Sequence, residues 1–192
     1  MPLTGRHADL LSEAVRIDGD AYRAMFAGRW DDARAALRDA AALYRASWEA
    51  APPRSYGRLV AHLKSAVLAG EGAPAAAFVR AELRDACDSP TSCYALAVAA
   101  LVEDDDATAA EAAVAMREGG GSFARTADAI AALAARDGDA YAAAVAAIVR
   151  DFEGREAHLT GVPVADTAML AEHLAARRGM AARPASELIP HS

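Results

Sequence analysis

Residues 122–152 read SFARTADAIAALAARDGDAYAAAVAAIVRDF, and this stretch predicts two helices joined by a short turn. Ser122 is placed to cap the first helix, Gly138 breaks it, and Asp139 begins the second. Large apolar residues recur at helical spacing on both sides of the turn: Phe123, Ile130 and Leu133 before it, and Tyr141, Val145, Ile148, Val149 and Phe152 after it. A helical hairpin is therefore the predicted unit of the fold.

The same kind of turn recurs along the chain. Residues 103–107 align with residues 136–140 at an offset of 33, and residues 70–72 lie about one further offset upstream. A period near 34 residues is typical of tetratricopeptide-like repeats. The first turn, at residues 27–31, is more distant, and the Trp, Leu-Gly and Tyr positions of the repeat motif do not recur. The pattern therefore predicts an architecture, without membership of the repeat family: an all-α, tetratricopeptide-like array of antiparallel helical hairpins with about nine to ten helices.

Helix start and stop signals place most of the other boundaries. Residues 10–17 and 22–26 are interpreted as two helical runs, and Asp31 or Asp32 caps the helix that follows them. Pro53 suits the first turn of the next helix, and Pro90 begins another. The pentapeptide at residues 18–22, Asp-Gly-Asp-Ala-Tyr, is repeated at residues 137–141. Either a duplication or a shared way of capping a helix that carries an inward tyrosine explains this identity.

Composition favours the same architecture. Of the 192 residues, 55 are alanine, and only 6% are aromatic. Alanine is the best helix former and is depleted in strands, and small side chains let neighbouring helices approach closely. The length suits a single domain, residues 1–192. The sparse large rings are expected to pack between helices: Trp30, Tyr44, Trp48, Phe78, Tyr94, Phe123, Tyr141 and Phe152.

The end of the chain predicts an extended strap. A last helix from residue 164 to residue 178 ends at Gly179, and Pro184 prevents the helix from continuing. Residues 179–192 are therefore expected to form a C-terminal strap, with Leu188 and Ile189 as apolar anchors. Covering the apolar face of the last hairpin is its expected role, and binding a partner is the alternative.

Charge and segment composition exclude several classes of function. The chain has 27 acidic and 20 basic residues, a net charge of −7 and a pI near 5.2. It therefore lacks the basic footprint of a nucleic-acid-binding protein. No signal-peptide-like or membrane-spanning run is found, so we expect a cytoplasmic protein with no membrane contact. Nineteen of the basic residues are arginine, and Lys64 is the single lysine.

Cys87 and Cys93 are the only cysteines, six residues apart around a predicted turn. A disulfide between them is sterically possible. In a reducing compartment, however, two cysteines are more often free and buried, which is the expected state here. Cysteine and histidine do not cluster at the spacing of a zinc site.

Searches for catalytic motifs find none. Glu-x-x-His, His-Glu-x-x-His, the phosphate-binding Gly-x-x-x-x-Gly-Lys motif and Gly-x-Ser-x-Gly are all absent from the sequence. We therefore expect no cofactor, no metal ion and no catalytic residue. A polar site is still conceivable where Glu153, Glu156 and His158 share one turn near Tyr141, because a carboxylate beside an imidazole is a minimal acid/base pair. A solvated helix terminus with local ion pairs is the alternative.

A run of carboxylates, Asp104, Asp105 and Asp106, is a second candidate surface. It could contact a basic partner or hold a cation weakly. An exposed cap, favoured by the dipole at the N-terminus of the next helix, is the other interpretation.

One segment near the end of the sequence resembles a known protein family. Residues 151–168 read DFEGREAHLTGVPVADTA, and they are followed by ARRGM at residues 176–180 and PASELIP at residues 184–190. This region, within residues 139–190, resembles the C-terminal part of the immunity protein 49 family, whose members are all-α actinobacterial proteins associated with polymorphic toxin systems. The resemblance implies a protein that binds a cognate toxin so that the producing cell survives, and it carries over no catalytic residue.

The leading hypothesis is therefore a non-enzymatic protein-binding module, of the immunity type, whose concave face holds a protein partner such as a toxin domain. Acidity fits a partner with a basic cleft, such as a nuclease. A general helical-repeat scaffold and an all-α enzyme or small-molecule binder of secondary metabolism are the alternatives, and a homodimer is also compatible with the sequence. A deep pocket containing the polar residues would favour a small molecule, whereas an open acidic groove would favour a protein.

Overall fold

The structure is a computed structural model that describes residues 5–84 and 86–190. Within these ranges it contains nine α-helices and no strand, which confirms the predicted all-α helical array. The helices are α1 (Arg6–Phe26), α2 (Trp30–Glu49), α3 (Gly57–Leu68), α4 (Gly72–Leu83), α5 (Pro90–Val102), α6 (Asp106–Met116), α7 (Gly121–Ala134), α8 (Gly138–Glu153) and α9 (Asp166–Arg177). A 3₁₀ turn, Arg117–Gly119, lies between α6 and α7. No helix in the described ranges is long and apolar enough to cross a membrane.

Four hairpins are closed by the same turn. After α1, α3, α5 and α7, one residue takes a left-handed conformation, and the N–H of the next residue donates to an alanine carbonyl five positions back, at 2.8 to 3.0 Å. This arrangement satisfies carbonyls that the end of a helix leaves unpaired. The left-handed residues are Gly28, Gly70, Asp104 and Arg136. The left-handed residues of the last three turns are 34 and 32 positions apart, close to but not identical with the offset of 33 in the sequence alignment.

Several predicted boundaries are wrong in detail. Pro53 lies in the turn before α3, which begins only at Gly57, because Arg54 takes a left-handed φ of 70° that no helix can include. Helix α7 is preceded by Gly120, not capped by Ser122, which lies inside the helix. Asp137 is the N-cap of α8, and its side chain accepts from the Ala140 N–H at 3.0 Å.

The repeated pentapeptide occupies two different places. At residues 137–141 it caps α8, as the capping interpretation predicts. At residues 18–22 it lies in the middle of α1, which runs unbroken through Gly19. There the side chain of Asp18 is buried and takes part in no cap. Both tyrosines, Tyr22 and Tyr141, are fully buried, so the shared feature is the inward ring.

The C-terminal part of the chain lies across the helical stack. Helix α3 contacts α5 and α5 contacts α7, so these three form an inner layer, and α9 contacts α3, α7 and α8. The loop at residues 154–165 continues onto α1, where the Thr160 carbonyl oxygen lies 2.9 Å from the position of a Cβ on Gly19. Val162 and Val164 pack with Tyr22 in one buried cluster. The chain itself therefore covers the face that an open concave groove would have presented.

The strap packs on α8 and α9. The Ala165 N–H donates to the Leu188 carbonyl at 2.9 Å, and the Glu172 carboxylate accepts from the backbone N–H groups of Ala182 and Arg183 at 3.1 and 2.7 Å. Leu188 and Ile189 are partly buried against the main core. Residues 191 and 192 of the predicted strap lie outside the described residues.

The large rings occupy the interior as the sequence predicts, although to different extents. Tyr44, Tyr141 and Phe152 are buried. The others are half-buried: Trp30, Trp48, Phe78, Tyr94 and Phe123.

Cys87 and Cys93 form a disulfide, so the expectation of free thiols is wrong in this structure. The residues between them supply the reason. Ser89 and Ser92 form a capping box at the start of α5, in which each side chain accepts from the backbone N–H of the other. This tight turn places the two Cα atoms 4.6 Å apart.

Candidate functional site

A cavity of about 340 Å³ lies between the inner layer and the loop at residues 154–165. The first residues of four helices line it: Gly57 of α3, Thr91 of α5, Ser122 of α7 and Asp166 with Thr167 of α9. Parallel helices in alternate positions of the stack bring their N-termini to the same side. The apolar part of the wall comprises Val60, Ala61, Met116, Phe123, Ile148, Phe152, Leu159 and Val164. The polar part comprises Lys64, Tyr94, Arg125, Thr126, Asp151, Arg155, His158 and Thr160.

Lys64, the single lysine, projects from α3 onto the inner end of this cavity. Its side chain is only 14% exposed and forms an ion pair with Asp166, the first residue of α9. Burial alone would lower the pKa of Lys64, but the carboxylates of Asp166 and Asp18 outweigh it and raise that pKa. The ammonium is therefore charged, and it ties α9 to α3.

A buried polar network lies behind Lys64. The Asp18 carboxylate, on α1, accepts hydrogen bonds from the Tyr44 hydroxyl at 3.0 Å and the Ser65 hydroxyl at 2.9 Å. Burial raises the pKa of Asp18 to about 6, although Lys64 and both hydrogen bonds oppose the rise. One carboxylate thus connects α1, α2 and α3 beneath the cavity.

Two residues that line the cavity carry a buried polar atom with no hydrogen-bond partner among the described residues. One is Tyr94, whose hydroxyl lies near the Thr167 side chain, and the other is Arg125, at Nε. A buried polar group without a partner is costly. Neither atom has appreciable accessible surface, so neither is exposed to the open space of the cavity.

The mouth of the cavity is basic and rigidly arranged. Arg125 and Arg155 both donate to the carboxylate of Asp151, the latter at 2.6 Å. The Arg155 guanidinium also lies 3.6 Å above the centre of the Phe152 ring, on which the His158 ring stacks at 6.2 Å. Leu159, the next residue, is 81% exposed.

The predicted polar site does not assemble. In the described part of the chain His158 lines the cavity, whereas Tyr141, Glu153 and Glu156 do not. Tyr141 is buried and donates to Glu172 of α9 at 2.6 Å, and burial together with that carboxylate raises the pKa of its hydroxyl. Glu153 accepts from the Ser186 hydroxyl of the strap at 2.8 Å, and Glu156 is exposed. The sequence predicts Glu153 or Glu156 as an acid/base partner of His158 near Tyr141. In the structure Tyr141 and Glu153 instead hold the C-terminal part in place.

The acidic run contacts arginines of its own chain. Asp104 pairs with Arg178 at 3.1 Å, and Asp106 pairs with Arg136 at 3.1 Å. Asp105 caps α6 and pairs with Arg80 at 2.9 Å, and its hydrogen bonds with Thr108, followed by Arg80, lower its pKa to about 2. Internal ion pairs and a helix cap therefore account for the run, and its role as a partner contact stays a prediction.

Sequence reasoning missed Lys64, Tyr94, Arg125 and Asp166 as members of one site. The uniqueness of Lys64 was a usable signal, since the chain uses arginine at every other basic position. A compact ammonium fits a confined position beside a carboxylate better than a planar guanidinium does. Nothing local marks the other three, which meet Lys64 only through the fold.

The arrangement is suited to binding. In the described ranges, no group of three or more His, Cys, Asp and Glu side chains could hold a metal ion. The cavity combines apolar side chains with two arginines, Arg125 and Arg155, that share one carboxylate. Comparison of the chain with protein-family models, with curated proteins and with solved structures found no match.

Proposed function

We propose that this protein is a non-enzymatic, tetratricopeptide-like binding protein of the immunity type, which binds a cognate toxin in the cytoplasm of the cell that produces both. The proposal rests on the resemblance of residues 151–190 to the immunity protein 49 family. The structural observation that supports it is the exposed Leu159, which lies inside the resembling stretch at the mouth of the cavity.

Several contacts restrain the loop that carries Leu159. Arg155 is fixed by Asp151 and by the Phe152 ring, and the Gly161 N–H donates to the His158 carbonyl at 3.0 Å. An apolar side chain on such a prearranged loop loses little conformational entropy when a partner covers it. Leu159 is therefore the proposed centre of the contact.

The acidity of the chain as a whole supports a basic partner. With a net charge of −7, the protein attracts at long range a toxin domain with a positive surface, such as a nuclease, whereas the contact at Leu159 itself is apolar. Opposite charges of this kind raise the association rate, and salt weakens the effect.

Co-expression with toxin domains encoded beside this gene tests the proposal. We expect one of them to be neutralised and to form a complex that survives size-exclusion chromatography. Leu159→Asp should weaken that complex by about tenfold or more, because it places a carboxylate in an apolar contact. Val114→Asp is the matched control, since Val114 is 68% exposed on α6 and does not line the cavity.

If neither variant changes the protection, Leu159 is not part of the contact with the toxin. Absence of both protection and complex formation with every neighbouring toxin domain would reject the immunity function. Binding of the Leu159 surface to an unrelated protein, without any toxin being neutralised, would support a general helical-repeat scaffold instead.

A further inference from the structure

We infer that the cavity beside Lys64 binds a small organic acid, whose apolar body fills the cavity and whose carboxylate meets Arg125 at its mouth. This goes beyond the proposed function, because it concerns a free small molecule and needs no protein partner.

The dimensions and lining of the cavity fit such a molecule. A volume of about 340 Å³ falls at the lower end of the range for small-molecule sites. The body of the cavity is formed by apolar side chains that include Phe123, Ile148 and Val164. Since Leu159 at the edge is largely exposed, a ligand can enter there without the helices separating.

The charges select an anion over a cation. At the mouth, Arg125 and Arg155 share the single carboxylate of Asp151, which leaves one positive charge in excess. Deeper in the cavity, Lys64 pairs with Asp166 and also faces the carboxylate of Asp18, so the inner end has no positive charge in excess and an anion is expected at the mouth. A carboxylate bound at the mouth would balance the excess charge, whereas a cationic ligand would face two guanidinium groups.

The Arg125 side chain can supply the donors that a carboxylate needs. It lines the cavity and is 35% exposed, and one of its nitrogens donates to Asp151. A guanidinium has five N–H donors and no acceptor, so donors remain for a second carboxylate.

The helix N-termini add to the positive potential. Unpaired backbone N–H groups at the first turn of a helix carry partial positive charge. Four helices begin at this cavity, but Ser89 caps α5 and α9 carries Asp166 in its first turn, so the dipoles of α3 and α7 are the ones that favour a negative ligand.

Isothermal titration calorimetry of the full-length protein tests the inference with matched probes: phenylacetate against phenylacetamide, and hexanoate against hexanamide. We expect at least one acid to bind with a dissociation constant about tenfold or more below that of its amide. Equal affinities within both pairs, or no binding of either acid up to about 10 mM, would overturn the inference.

Variants locate the binding. Arg125→Gln should raise the dissociation constant of the acid to near that of the amide, because it removes the excess positive charge at the mouth and the guanidinium that meets the carboxylate. Arg117→Gln is the control, since Arg117 pairs with Asp128 and does not line the cavity. If Arg125→Gln lowers stability, Ile148→Trp gives a second measurement, because it fills the cavity and should abolish binding of acid and amide alike. Equal effects of the two arginine variants, or unchanged binding in Ile148→Trp, would place the acid elsewhere and refute the inference.

Discussion

Lys64 and Asp18 form a charged centre that the fold surrounds with tyrosines. Asp18 comes from α1 and Lys64 from α3, and Asp166 reaches the same ammonium from the start of α9. Buried charges persist only when they are paired and hydrogen-bonded, and these are. The network therefore specifies which helices meet. Because burial raises the pKa of Asp18, the stability that this network gives the fold depends on pH.

Replacing Asp18 by Asn should reveal this dependence. Folding raises the pKa of Asp18 from its ordinary value of 3.8 to about 6, so the fold favours the protonated form. The stabilising effect of protonation is complete below the ordinary pKa and is lost as the pH rises through 6. Lys64 stays charged over this range, because its pKa is raised. Between about pH 5 and about pH 7.5, the wild type should lose about 1.4 kcal/mol of unfolding free energy relative to Asp18→Asn.

Urea unfolding of both proteins across this pH range measures the difference. The amide of Asp18→Asn also alters the hydrogen bonds with Tyr44 and Ser65, but this effect is the same at every pH. The change of the stability difference with pH is therefore the relevant quantity. The quantity to follow is the unfolding free energy of Asp18→Asn minus that of the wild type. If this value stays constant or falls as the pH rises, the raised pKa of Asp18 is contradicted.

At the scale of single elements, Gly19 shows why the pentapeptide shared by residues 18–22 and 137–141 has two structural roles. In the middle of α1 a glycine costs helix stability, yet here a Cβ would lie 2.9 Å from the Thr160 carbonyl oxygen. The glycine permits the loop at residues 154–165 to lie directly on α1. Gly138, in the second copy of the pentapeptide, has open space at its Cβ position and serves only the start of α8.

Alanine substitution at the two glycines should therefore have opposite effects. Gly138→Ala should be neutral or stabilise the protein by up to about 1 kcal/mol, because alanine restricts the unfolded chain. Gly19→Ala should destabilise it by about 1 to 2 kcal/mol, because the added methyl group must displace a backbone carbonyl. Thermal or urea unfolding measures both. A stabilising Gly19→Ala would mean that the loop does not pack on α1 in solution.

The helices and their turns could be predicted from the sequence because their signals are local. Pro90, Gly70, Gly179 and the acidic residues before α6 and α8 act within a few positions of themselves. The errors arose where two local signals competed. Arg54 takes a left-handed conformation after Pro53, which delays α3, and neither residue indicates this by its type. Gly19 suggests a helix boundary, but α1 runs through it, and the space that its missing Cβ leaves is used by a loop more than a hundred residues further along the chain.

At the scale of the whole molecule, the candidate site could not be predicted because it depends on the path of the C-terminal part. The ion pair of Lys64 with Asp166 spans 102 positions, and the cavity takes residues from α3, α5, α7, α8 and α9. A repeat pattern predicts which helices are neighbours in sequence, but it carries no information about a later segment that folds back. His158 was predicted as a site residue from its local surroundings and does line the cavity, whereas Tyr141 and Glu153 hold α9 and the strap.

This return path should make unfolding more cooperative than in a linear array. Repeats that contact only their neighbours can unfold in segments, starting from an end. Here α9 contacts α3, α7 and α8, and Val162 and Val164 belong to the cluster of α1 and α2.

Both tryptophans, Trp30 and Trp48, lie in α2, so their fluorescence reports on the N-terminal hairpin, whereas far-ultraviolet circular dichroism reports on all helices. The two signals should give one urea midpoint and one slope. Val162→Ser should loosen the loop and move the fluorescence midpoint below the dichroism midpoint, whereas Val114→Ser, at an exposed position, should leave them together. A fluorescence midpoint in the wild type that precedes the dichroism midpoint by about 0.5 M or more would show that the N-terminal hairpin unfolds on its own.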